Sequence, residues 1–144
     1  MRSTDALFLK RFSVNNMDKS ETGRKGESFC EEYYRKRGYE IKERNYHSRY
    51  GEIDLIAESE TELCFVEVKT RNLSAMGTPA EAVDYRKQRK ITLTAMKYLG
   101  ESECFRQPRF DVLEVWQEDG KIVKYNLIEN AFYAEDFSGQ YEIF

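Results

Sequence analysis

The residues of this chain whose types and spacing could do chemistry lie between Gly51 and Arg71. That stretch reads Gly-Glu-Ile-Asp-Leu-Ile, a short acidic interruption, then Phe-Val-Glu-Val-Lys-Thr-Arg. Both runs alternate as strands do. Glu52, Asp54 and Ile56 fall on one face and Ile53, Leu55 and Ala57 on the other, while Phe65, Glu67 and Lys69 oppose Val66, Val68 and Thr70. The polar segment Glu58–Glu62 is short enough for a hairpin loop, so the strands are expected to be antiparallel neighbours that bring Asp54 to Glu67. Two adjacent carboxylates repel each other, and burying one alone is costly or forces it to take a proton. A hard divalent cation such as Mg²⁺ removes the conflict, since it takes oxygen ligands, keeps several waters and needs only one or two carboxylates beside a substrate phosphate. Lys69 would stand next to that ion, where an ammonium orients an attacking water or offsets charge growing on a phosphate. The chemistry this suggests is phosphodiester hydrolysis. The same alternation also describes an ordinary half-exposed strand with a weak ion pair, so the surrounding chain must discriminate.

The elements that must position this trio can be read on either side of it. A helix is expected over Gly23–Arg37, stopped by Gly38 in the left-handed position that ends helices. Cys30, Tyr33, Tyr34 and Arg37 recur at helical spacing as its inward stripe. Glu27 shares that side, where it either joins the site or merely favours the positive helix end. Tyr39–Tyr46 alternates as a strand, with Tyr39, Ile41 and Glu43 opposite Glu40, Lys42 and Arg44. The turn-like His47-Ser48-Arg49-Tyr50 then leads into Gly51, which permits a bulge or a close approach. Arg44, Arg49 and His47 could meet a phosphate backbone, or each could simply be solvated. After a loop at Asn72–Gly77, Thr78-Pro79-Ala80-Glu81 forms a capping box that should open a helix running to Leu99 and ending at Gly100, with Val83, Ile91, Ala95 and Leu99 inward. Arg86, Lys87, Arg89 and Lys90 crowd one turn of it. Arg86, Arg89, Lys90 and Lys97 fall on one face, a basic stripe for a polyanion or a solvated surface. Arg109–Trp116 and Ile122–Ile128 read as strands joined by an Asp-Gly turn, with Asp111 better explained as a partner of Arg109 than as a member of the site.

Composition narrows the classes. A chain of 144 residues, 40% hydrophobic and 34% charged, fits one soluble globular domain with a modest core. No run approaches the roughly 18 apolar residues of a membrane helix, and Ala6-Leu7-Phe8-Leu9 is too short for a secretory signal. Cys30, Cys64 and Cys104 are odd in number and far apart, with His47 the one histidine. This argues against a disulfide framework or structural zinc and for a cytoplasmic location. The net charge of −3 argues against indiscriminate nucleic-acid binding, yet residues 1–100 carry +3 and residues 101–144 carry −6, so a polyanion site belongs in the first part. Residues 1–22 read as a loose extension, dispensable before Met17, residues 23–132 as the domain and residues 133–144 as an acidic, aromatic tail.

With these residues in place the chain resembles the YraN-like family, small bacterial proteins classed among the restriction-endonuclease-like nucleases and similar to archaeal Holliday-junction resolvases. The resemblance covers roughly Gly23 to Phe132 and rests on Gly23-x-x-Gly26-Glu27, Gly38-Tyr39, Arg44-Asn45-Tyr46, Gly51 to Ile56, Phe65 to Arg71, Lys87 to Ile91 and Arg109-Phe110-Asp111-Val112. It implies an α/β fold with a restriction-endonuclease-like core, a mixed sheet of about five strands flanked by helices, and Mg²⁺ or Mn²⁺ as cofactor. It further implies DNA as substrate. The superfamily's metal pair falls on Asp54 and Glu67, its lysine on Lys69, its first-helix carboxylate on Glu27 and a helical glutamine on Gln88. Ile53 stands where the family pattern has proline. The expected activity is a DNA endonuclease acting on branched DNA as a homodimer, with Arg44, Arg49, Arg71, Arg86, Arg89 and Lys90 on the nucleic acid. The alternatives are a non-catalytic module for nucleic-acid binding or recruitment on the same scaffold, and an interaction protein that never touches DNA.

Overall fold

The computed structural model describes residues 19–73, 83–104 and 106–133, and among these described residues the main elements are two helices and five strands. Helix α1 spans Lys19–Lys36 and so begins ahead of the expected Gly23. It ends as its glycine predicts. Gly38 takes φ +87°, the Tyr39 N–H reaches back to the Tyr34 carbonyl at 3.1 Å and the Gly38 N–H to that of Arg35 at 3.1 Å, a Schellman closure. Phe29, Cys30, Tyr33 and Tyr34 are buried. Arg37, expected in the inward stripe, is exposed because the helix has already ended. Its guanidinium lies 3.5 Å from the Tyr33 ring centroid and donates to the Tyr33 carbonyl.

Strands β1 (Glu40–His47), β2 (Glu52–Glu58), β3 (Glu62–Asn72), β4 (Gln107–Glu118) and β5 (Lys121–Phe132) form one sheet in the order β1-β2-β3-β4-β5. β3 and β4 run parallel and the other pairs antiparallel, so the sheet is mixed. The parallel pair needs a crossover, and helix α2 (Tyr85–Glu101) lies in it. On one face α1 packs over Leu55, Ala57, Cys64, Val66, Leu113 and Val115. On the other, Ile91 and Ala95 of α2 pack with Ile53, Ile56, Leu63, Phe65, Phe110 and Val112. A mixed five-strand sheet between helices is the expected α/β architecture and fits a restriction-endonuclease-like core. None of the described helices is long and apolar enough to cross a membrane.

Helix α2 departs from expectation at both ends. It starts at Tyr85, where Asp84 is the N-cap and its side chain accepts the Lys87 N–H at 2.8 Å; the capping box at Thr78–Glu81 lies outside the described residues. At the far end Gly100 stays helical and Ser102 is the cap, its N–H donating to the Tyr98 carbonyl. The expected loose extension lies almost wholly outside the described residues, as does the tail beyond Tyr133.

Alternation also breaks twice beside the site. In β1 the register passes from Ile41 opposite Ala57 to Glu43 opposite Ile56, so Lys42 is bulged out and Arg44 joins Ile41 on the α1 face, contrary to the simple period of two. In β2, Ile53 packs in the α2-side core while Leu55 and Ala57 pack on the α1 side, so the expected single face for these three is wrong at Ile53.

Candidate functional site at a forked hairpin

The β2–β3 ladder runs from Glu58 opposite Leu63 to Leu55 opposite Val66 and then stops. Past that point the strands part, and Asp54 sits in the fork. Its Oδ2 accepts the Val68 N–H at 2.8 Å, taking the place of a backbone acceptor across the gap. Glu67, on the α2 side of β3, is 6% exposed. Its carboxyl is within hydrogen-bonding reach of a protonated Asp54. Burial and then the Glu67 charge push the Asp54 carboxyl up to about 7, the Val68 N–H pulls against that shift, and Glu27 adds to it. The pair expected from the sequence is therefore brought together, and its members are in electrostatic conflict.

Lys87, on the first turn of α2, relieves part of that conflict, its Nζ forming an ion pair with Glu67 Oε1. Burial lowers the Lys87 pKa, but the hydrogen bond and charge of Glu67, the charge of Asp54 and contact with Lys69 outweigh it, and the net shift is upward. Lys69 thus lies beside Lys87 at the edge of the pair. Glu27 approaches from α1. Its Oε2 accepts from Asn45 Nδ2 at 3.5 Å, and its carboxyl is raised chiefly by burial, with Glu52 and Glu67 adding to the shift against the Asn45 bond. Gln88 is turned away, its Nε2 donating to the Val83 carbonyl at 2.7 Å before the helix start.

The basic residues expected on the nucleic acid divide into two groups. Arg44 is held by Glu31 of α1 through a two-pronged contact, one arm at 2.7 Å, and Arg71 donates to Glu114 of β4 at 3.1 Å. Arg86, Arg89 and Lys90 are exposed on α2, and Arg49 is exposed on the β1–β2 turn. That turn is strapped to the helix. The Ser48 and Thr94 hydroxyls are 2.8 Å apart, and a Cβ at Gly51 would come within 3.2 Å of the Lys90 Cβ, so glycine is what lets the turn approach so closely.

The model of the family described as "Uncharacterised protein family UPF0102" matches residues 26–115. The chain belongs to the UPF0102 family. This bears out the YraN-like assignment. A UPF0102 protein of Caldanaerobacter subterraneus subsp. tengcongensis is 43% identical over 122 residues, covering 83% of this chain and 100% of that protein. One from Syntrophomonas wolfei subsp. wolfei is 46% identical over 113 residues, 78% of this chain and 97% of its own length, and one from Rhodococcus opacus is 44% identical over 111 residues, 76% and 94%. The matched region contains Glu27, Asp54, Glu67, Lys69, Lys87 and Gln88.

What this UPF0102 site could hold follows from its donors. Among the described residues no group of three His, Cys, Asp or Glu side chains is placed to hold a metal ion, so Glu27 does not complete a three-carboxylate cage with Asp54 and Glu67. Two carboxylates nonetheless suit Mg²⁺ or Mn²⁺, which leave their remaining positions to water and phosphate oxygens. Zinc prefers nitrogen and sulfur donors, which the Asp54–Glu67 pair itself does not offer. The residue that sequence reasoning missed is Lys87. Its signal was its place one turn before the inward-facing Ile91, which aims it at the sheet.

Proposed function

We propose that this UPF0102 protein is a metal-dependent DNA endonuclease of the restriction-endonuclease-like superfamily. The observation that carries the reading is the close, largely buried pair of carboxylates at the fork, with lysines at its edge. Asp54 and Glu67 would hold Mg²⁺ or Mn²⁺, with Glu27 assisting through water. Bound there, the ion supplies charge for the phosphate and lowers the pKa of a coordinated water. Lys69 orients the attacking water for in-line displacement, and Lys87 holds Glu67 in place through its ion pair. Gln88 steadies the start of α2. Arg49, Arg86, Arg89 and Lys90 hold the backbone, while Arg44 and Arg71 brace the scaffold through Glu31 and Glu114. The substrate is branched DNA and the working unit a homodimer.

Cleavage of duplex, fork and four-way junction with Mg²⁺ or Mn²⁺ tests the reading, run beside Glu67→Gln and Lys69→Ala. Loss of turnover with retained binding is expected for Lys69→Ala, and a wild-type rate in that variant refutes the mechanism. One observation favours a second reading. Lys87 already neutralises Glu67, which suits a scaffold that binds nucleic acid without cutting it. DNA binding indifferent to divalent ions, with no cleavage of any architecture, would select it.

A further inference from the structure

The outer face of α2 carries a feature that the carboxylate pair does not explain. Arg86, Arg89, Lys90 and Leu93 line an open groove of about 360 Å³ whose far wall is Tyr50. A second groove, of about 390 Å³, also has Tyr50 in its lining, together with Arg49, Met96 and Lys97. The two share one aromatic ring. The Arg49 guanidinium steadies it, lying 4.8 Å from the ring centroid and donating to the Tyr50 hydroxyl at 2.6 Å. The strap through Ser48, Thr94 and Gly51 fixes the whole turn against the helix.

We infer that this double groove is a binding site for an unpaired polynucleotide strand, with Tyr50 as the platform on which a base stacks. The inference rests on the nucleic-acid reading above and narrows its substrate class. Arg86 to Lys97 spans roughly 16 Å at about 1.5 Å per helical residue, enough to follow a few backbone phosphates. A row of cations beside a fixed aromatic ring over an aliphatic floor is the chemistry that holds single strands, because every base has a π face. A duplex hides those faces and would use only the cations. Charge complementarity fits a polyanion, since the chain as a whole is net negative while this face gathers Arg49, Arg86, Arg89, Lys90 and Lys97, with Glu101 the acid lining it. At the groove's end Arg86 is followed in the helix by Lys87, which pairs with Glu67 of the fork. The favoured substrate is therefore DNA with unpaired nucleotides adjoining a duplex, such as a flap or fork.

The test is fluorescence anisotropy in EDTA with a labelled oligo-dT, an oligo-rU of the same length and a blunt duplex, so that binding is read apart from cleavage. Oligo-dT should bind more tightly than the duplex. Tyr50→Leu should weaken oligo-dT about fivefold to a hundredfold while leaving the duplex nearly unchanged. Tyr50→Phe, which keeps the ring, should retain binding. Arg89→Ala with Lys90→Ala should weaken every ligand and flatten the salt dependence. Oligo-rU binding as tightly as oligo-dT would keep the single-strand site but assign it to RNA as well. Equal affinity for strand and duplex with no effect of Tyr50→Leu, or no binding of oligo-dT, overturns the inference. Strand binding that persists where no DNA architecture is ever cut leaves it standing and removes only the nuclease reading.

Discussion

At the scale of single residues the decisive fact is that Asp54 is largely buried and stands beside the Glu67 carboxylate. The folded pKa of Asp54, about 7, stands above its ordinary 3.8. The native state therefore holds an extra proton between those values. Stability from this group is complete below about pH 4 and is lost as pH rises through about 7. Asp54→Asn removes the charge and keeps an oxygen for the Val68 N–H. In EDTA above pH 7 the variant should be more stable than its parent by about 1–3 kcal/mol, with no difference near pH 4, as urea denaturation across that range would show. Its response to Mn²⁺ should vanish. A variant less stable at pH 8 would mean that no charge conflict exists. Lys87→Ala should act in the opposite sense. Glu67 would remain buried without its ammonium, but Lys87 is 43% exposed and the pair partly screened, so the metal-free loss should be about 1 kcal/mol. Mg²⁺ should then raise the melting temperature of Lys87→Ala more than that of the parent. The carboxylate pair was legible in the sequence because a period of two and a short loop fix the register between Asp54 and Glu67. Lys87 was passed over although it stands one turn from both Val83 and Ile91 on the inward stripe, because four basic residues in one turn read together as a single solvated face.

At the scale of elements, the site depends on how closely α1 and β3 approach. Gly26 is buried, and a Cβ there would overlap the Thr70 Oγ1, with the Val68 side chain at 3.5 Å. This glycine is needed for space, and it sets the depth at which Glu27, the next residue, faces the fork. Gly26→Ala should cost about 1–3 kcal/mol, because α1 must lift or Thr70 must move. Thr70→Ala removes the offending oxygen, so adding it to Gly26→Ala should recover a large part of the loss. A double-mutant cycle by urea denaturation measures this, and additivity of the two changes would contradict the contact. Helices and strands were legible as types, but the irregularities were not. Lys42 bulges where β1 passes Ala57 and Ile56, and Ile53 leaves the face of Leu55 just past the last β2–β3 pair, irregularities that local alternation does not encode.

At the scale of the whole molecule the two faces of the sheet have separate tasks. The α2 face carries Glu67, Lys87 and the basic groove, while the α1 face carries a buried polar network that ties distant parts of the chain together. Asp111, 1% exposed, accepts from the Tyr34 hydroxyl of α1 at 2.6 Å, from Arg109 Nε at 2.9 Å and from the Asn130 N–H of β5 at 3.2 Å. Arg109 also reaches Glu62 of β3 at 2.7 Å. Burial, with the charge and bond of Asp111, raises the Tyr34 phenol, and it stays a donor. The sequence had already suggested Arg109 as the partner of Asp111, since residues two apart on a strand share a face, but it could not show that α1 and β5 join them. Asp111→Ala strands a buried guanidinium and a buried phenol, so the loss should be about 3–5 kcal/mol. The shift in urea midpoint produced by Mn²⁺ should match that of the parent, because the fork lies elsewhere on the sheet. If Asp111→Ala were as stable as the parent but blind to Mn²⁺, the network would belong to the site and the division of tasks between the faces would be wrong.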